Sequence, residues 1–104
     1  MSATLLRRKG AVCAEVARAM AEGALAHSDA VIAAAITGVA GPEPDEDGNP
    51  VGRVCIAVSR RGFPARDFER HYDPGIGRDA IRQRAVADAL RAMTEALASV
   101  SEAA

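Results

Sequence analysis

Thr37-Gly38-Val39-Ala40-Gly41-Pro42 is the stretch of this chain whose residue types best suit ligand binding. It runs on from the apolar segment AVIAAAIT at residues 30–37. In open α/β sheets the crevice beyond the carboxyl ends of the strands is where ligands sit. Two glycines allow backbone N–H groups to approach an anion, and Thr37 adds a hydroxyl. The spacing is not the GxGxxG of dinucleotide binding, and no Gly-Lys-Ser/Thr follows as in a Walker loop. A plain structural turn is the competing reading. The second candidate is Pro74-Gly75-Ile76-Gly77-Arg78, which opens a helix. Free N–H groups there, with Arg78 and Arg82 one turn apart, could hold a phosphate; a solvated helix start competes.

Other chemistries fail on spacing. Glu43, Asp45, Glu46, Asp47 and Asn49 imitate half a calcium loop, but Gly48 comes two positions early and Ile56 stands where the bidentate Glu belongs. His27 and His71 lack a second metal ligand at usable spacing, and no serine lies in a GxSxG motif. Neither paired carboxylates nor a Cys/His arrangement stands out. Cys13 and Cys55 read as buried, reduced thiols rather than a disulfide or metal pair.

The elements that must position these residues follow from periodicity. From Ala14 to about His27 the pattern is helical, with Val16, Met20 and Ala24 as a stripe and Glu15–Arg18 and Arg18–Glu22 as surface pairs. Residues 30–37 predict a central strand covered on both faces. Prolines 42, 44 and 50 forbid regular structure in the loop after it. Residues 51–59 predict a second strand. Residues 65–72 predict a charged edge strand antiparallel to it. A final helix runs from Arg78 to about Val100, with Ile81, Ala85, Ala89, Leu90, Met93, Leu97 and Val100 as its stripe, and Arg84–Asp88 and Arg91–Glu95 outside. The expected fold class is α/β, helices packed on a small mixed sheet, in one domain over residues 1–104.

Composition narrows the function. Of 104 residues 24 are alanine and only 3% are aromatic, so the core is built from small side chains and stability is modest. No apolar stretch is long enough for a membrane span, and the first residues lack a signal-peptide pattern. A net charge of -1 gives no broad field for nucleic acid or an acidic membrane, so neither is expected as a partner.

Two segments go beyond periodicity. GAVCAEVARAMAEGAL at residues 10–25 resembles the "GAVSEEVAREMAEGAL" helix of the CinA (competence/damage-inducible) C-terminal domain family. TGVAGP at 37–42, followed by NPVGRV at 49–54, resembles that family's "TGIAGP…KPVGTV". Pro74, Gly75 and Arg78 parallel its "PGDR", with Ile76 and Gly77 added. The resemblance implies a three-layer α/β/α domain and a nicotinamide-nucleotide amidase. Such an enzyme converts nicotinamide mononucleotide to nicotinate mononucleotide and ammonia in pyridine-nucleotide salvage. It further implies a bacterial cytoplasmic oligomer that uses no metal or other cofactor.

The family's "AESCTGG" segment, with its serine nucleophile, and its "YSNEAK" segment, with a tyrosine and a lysine, have no counterpart in these 104 residues. Cys13 replaces the helix-capping serine, and Glu43-Pro44-Asp45-Glu46-Asp47 replaces a glycine-rich loop. The resemblance therefore carries over Thr37, Gly38, Gly41 and Arg78 as substrate contacts and assigns no catalytic residue. The expectation is an incomplete, N-terminally truncated domain without amidase activity alone. It would bind a small nucleotide and either self-associate or take up a complementing N-terminal chain. The alternatives are half of a split amidase and a non-catalytic nucleotide-binding or interaction module.

Overall fold

The structure, a computed structural model, describes residues 13–44 and 48–103. Helix α1 (Ala14–Ala26) is followed by strands β1 (Ile32–Gly38), β2 (Arg53–Arg60) and β3 (Arg66–His71), one 3-10 turn (Pro74–Ile76) and helix α2 (Arg78–Ala103). The sheet order is β1-β2-β3. Helix α1 packs with Ala35, Cys55 and Ala57 on one face of the sheet, and α2 packs with Val54 and Ile56 on the other. This is the expected α/β/α layering. Where a mixed sheet is expected, the described strands are all antiparallel. Both connections return the chain alongside the preceding strand, and no crossover intervenes to make a parallel pair.

Cys13 caps α1 despite being a weak capping residue. Its backbone is extended and its Sγ accepts the Val16 N–H at 3.4 Å. The buried face is Val16, Ala17, Ala21 and Leu25 rather than Val16, Met20 and Ala24. Alanines at 17 and 21 let the helix lie close over Ala35 and Ala57, whereas Met20 on that face would hold it off the sheet. At the other end Arg61 gathers carbonyls from the last turn of the helix and the turn after it. Its Nη2 donates to Leu25 O, Ser28 O and Ala30 O at 2.7, 3.0 and 2.8 Å, and its Nε to Ala30 O at 3.1 Å. A cation there also opposes the negative end of the helix dipole.

Strand β1 is covered on both faces, as expected, but it is an edge of the described sheet; β2 is central and almost wholly buried. On α2 the buried stripe is Ile81, Ala85 and Ala89. Leu90 and Leu97 do not belong to it, being 57% and 40% exposed. At about 100° per residue Leu90 lies about 180° around from Ile81. The Val100 side chain and Asp45, Glu46 and Asp47 lie outside the described residues. Some of the surface pairs are tertiary. Asp88 takes the Tyr72 hydroxyl at 2.5 Å, Arg70 at 3.7 Å and Arg91 at 3.4 Å rather than Arg84. Arg18 reaches Asp67 of β3 at 3.4 Å.

Candidate functional site

The carboxyl end of β1 opens into a cleft of about 450 Å³ beneath the first turns of α2. Ile36, Gly38, Ala40 and Val54 form its sheet wall; Arg78, Ile81, Arg82, Ala85 and Val86 form its helix wall. Two forces set this geometry. The sheet wall is held by backbone pairing, Val39 N–H to Arg53 O at 3.0 Å and Gly52 N–H to Val39 O at 2.7 Å. The helix wall is anchored by Ile81, 1% exposed and packed on Ile56 and Val54.

Three of the four residues expected at a substrate site converge here. Gly38 lines the cleft, and a Cβ on it would stand 2.6 Å from Val54 Cγ2 and 2.9 Å from Arg53 O, so the strand pair requires glycine at that point whether or not a ligand does. Gly41 contributes its carbonyl oxygen, which accepts from Arg78 Nη1 at 2.9 Å. That bond ties the loop after β1 to the start of α2. Arg82, one turn further along, has no hydrogen-bond or ion-pair partner among the described residues. Among the described residues no carboxylate lines the cleft, so one tethered and one free guanidinium there suit an anion. Thr37 does not join them. Alternation along β1 turns it to the α1 face, opposite Cys55 in the strand register.

On that face lies a polar cluster that sequence spacing does not reveal. Cys55 Sγ is 3.8 Å from Glu69 Oε1; the same carboxylate takes Arg53 Nη2 at 3.1 Å and His71 Nε2 at 2.5 Å. Arg53 also donates to Asn49. The period-two pattern of Arg53 and Cys55, and of Glu69 and His71, holds the clue, but only the hairpin register brings 55 opposite 69 and 53 opposite 71. A thiol beside a proton acceptor has the form of an activated nucleophile. Burial argues against that here. Cys55 is fully buried, and desolvation pushes its thiol up to about 11, with Arg53 opposing and Glu69 reinforcing. It stays protonated and unreachable at neutral pH.

Glu69 is held below the usual carboxylate range, first by its hydrogen bond to Arg53, against desolvation, and with help from His71. A depressed native value stabilises the fold above the unfolded value near 4.3 and loses that contribution as pH falls through the native value. The melting temperature of the wild type minus that of Glu69→Gln is therefore expected to be positive at pH 6 and to shrink below about pH 4. Thermal melts of the two proteins across this range check it. The effect is small because Glu69 is 41% exposed.

The family profile for the CinA C-terminal domain matches residues 1–97. The chain belongs to the CinA C-terminal domain family. A CinA-like protein of Synechococcus is 48% identical over 86 residues, which are 83% of this chain and 20% of that protein. A CinA superfamily protein of Klebsiella pneumoniae superposes with a TM-score of 0.86 at 35% identity, covering 94% of this chain and 59% of that one. One from Escherichia coli gives 0.80 at 37% identity, covering 86% and 51%. This CinA-like chain thus spans about half of the solved relatives and about a fifth of the curated ones. The α/β/α layers described above are the CinA superfamily architecture. Among the described residues no helix is long and apolar enough to cross a membrane.

Proposed function

We propose that this chain supplies the nucleotide-binding wall of a nicotinamide-nucleotide amidase and leaves the cleavage to groups outside these residues. The observation that carries the reading is the pair Arg78 and Arg82 on one wall of the cleft, facing Gly38, with no carboxylate among the described residues that line it. That lining suits a phosphate monoester attached to a flat, weakly polar body, as in nicotinamide mononucleotide. Arg78 holds the phosphate and keeps its bond to Gly41 O; Gly38 and Gly41 shape the mouth. Thr37, on the other face, contributes through the strand rather than by contact. Hydrolysis of a carboxamide needs a nucleophile activated by a base. Cys55, a thiol with the Glu69 carboxylate nearby, is buried and protonated. The reading places the protein in pyridine-nucleotide salvage in the bacterial cytoplasm, as an oligomer or beside a complementing chain, with no metal or other cofactor.

Two measurements test it. The purified chain alone is expected to release no ammonia from nicotinamide mononucleotide above the uncatalysed rate; turnover like that of an intact family member would place the nucleophile within these residues. Calorimetric titration with the same nucleotide should show binding that Arg78→Ala weakens by about 10- to 100-fold, the loss of a charge-assisted bond worth about 1.5–3 kcal/mol. Equal affinity in the variant removes Arg78 from the site. A non-catalytic nucleotide-binding module shares these two results and differs in never gaining activity from any added segment.

A further inference from the structure

Helix α2 leaves a gap over the end of the sheet that lies away from the Gly38 cleft. Beyond Ala89 its half-buried residues toward the β2–β3 hairpin are Ala92 and Ala96, and single methyls there do not fill the space above Val58 and Phe68. The result is a pocket of about 440 Å³ between the hairpin and the second half of α2. That volume suits a small molecule. The pocket shares no lining residue with the cleft.

Both phenylalanines of the chain line it. Phe63 is placed by the tight turn after β2, which is closed by its N–H to Arg60 O at 2.9 Å with Gly62 at a φ of 86°. Phe68 stands on the α2 face of β3. Each ring has a guanidinium over it, Arg60 at 5.3 Å from the Phe63 centroid and Arg70 at 4.5 Å from that of Phe68. Arg60 also donates to Ala96 O at 3.3 Å, which braces the turn against the helix. Phe63 nevertheless stays 50% exposed at the rim.

The charges around the pocket are not equally engaged. Asp67 is held by Arg18 at 3.4 Å, and Arg60 by its bond to Ala96 O. Arg66 on the sheet wall and Glu95 on the helix wall have no side-chain hydrogen-bond or ion-pair partner among the described residues. Arg91, the helical neighbour that spacing offers Glu95, is taken by Asp88 at 3.4 Å. A free cation and a free anion thus line one aromatic pocket without pairing with each other. A simple anion there is attracted by Arg66 and repelled by Glu95, and a simple cation the reverse. A ligand that satisfies both carries both charges.

We propose that this pocket binds an aromatic α-amino acid. The ring lies against Phe63 and Phe68, the carboxylate takes Arg66, and the ammonium takes Glu95. The zwitterion bridges two side chains that do not reach each other. The site is separate from the nucleotide cleft, so neither reading depends on the other.

The chain contains no tryptophan, so the emission and anisotropy of L-tryptophan itself report its binding to the purified protein. Tryptamine, which lacks the carboxylate, and indole-3-propionate, which lacks the ammonium, are read in the same way. Tryptophan is expected to bind about five- to tenfold more tightly than either. Arg66→Gln should lower tryptophan to the level of tryptamine and leave tryptamine no weaker. Glu95→Gln should lower it to the level of indole-3-propionate and leave that anion no weaker. Both positions are exposed, so the melt of each variant should match the wild type. Phe63→Ala should weaken all three compounds together. Absence of a saturable signal with tryptophan overturns the proposal. Equal affinity of the wild type for the three compounds overturns it too, since the pocket then reads only the ring. Loss of tryptophan binding in Arg82→Ala, with Arg66→Gln unaffected, overturns it by moving the ligand to the nucleotide cleft.

Discussion

Gly52→Ala is expected to leave little folded protein. Gly52 sits at a φ of 97°, in the region that L residues rarely adopt, and a Cβ there would lie 2.1 Å from the Tyr72 carbonyl oxygen and 3.1 Å from its carbon. The left-handed backbone alone costs about 1–3 kcal/mol with a side chain present. The clash adds to this because its partner is backbone and cannot rotate aside. Relief requires Tyr72 to move, and the Tyr72 N–H bonds Gly52 O at 2.9 Å while the Gly52 N–H bonds Val39 O at 2.7 Å. One residue therefore joins the ends of all three strands, and the wall of the cleft with them. A loss of about 4 kcal/mol or more approaches the whole stability of a small domain. Gly62→Ala is the matched control. Gly62 has a φ of 86° but nothing within 4 Å of its added Cβ, so that variant should lose only about 1 kcal/mol. Urea unfolding of both variants separates the steric part from the conformational part. Equal midpoints would show that the close approach at Tyr72 is not a constraint.

The second large effect is expected from Ile56→Ala. Ile56 is fully buried in the central strand and packs with Val54, Ile81, Ala85 and Ala89. Removing a buried isoleucine side chain to alanine costs about 2–5 kcal/mol, the higher values where the surroundings cannot collapse. Two of the four buried neighbours here are alanines, whose methyls have no rotamers with which to fill a void. The upper half of the range, about 3–5 kcal/mol, is the expected result by chemical denaturation. Ile56→Val should cost only about 0.5–1.5 kcal/mol. A small loss in Ile56→Ala would mean that α2 slides inward over the sheet. The cleft between Ile36 and Ile81 would then narrow as well, and nucleotide affinity would report it.

Both sites lie where local sequence says little. Period and punctuation were enough to read α1, three strands and α2 in order, because each rule acts within a few residues. The helical period starts at Ala14, prolines 42, 44 and 50 break the chain, and β-branched residues fill residues 51–59. The family motifs, likewise contiguous in sequence, named Thr37, Gly38, Gly41 and Arg78 as substrate contacts, and the structure brings the last three, but not Thr37, to one cleft. What local rules could not decide was which of two plausible stripes faces inward. On α1 that depended on how close Ala17 and Ala21 let the helix come to Ala35 and Ala57. On α2 it depended on which side Ile81 meets Ile56, leaving Leu90 outside.

The sequence by itself determined the order and type of the elements and the family. Only tertiary structure decided that β1 is an edge of the described sheet, that Thr37 faces away from Arg78, and that Cys55, Glu69, His71 and Arg53 form one cluster. The physical reason is the range of the forces. Propensity, capping and turn chemistry act between neighbours in the chain. Strand register and helix docking depend on backbone bonds and side-chain volumes from residues far apart, so a shift of one residue in register would turn every side chain of a strand to the opposite face.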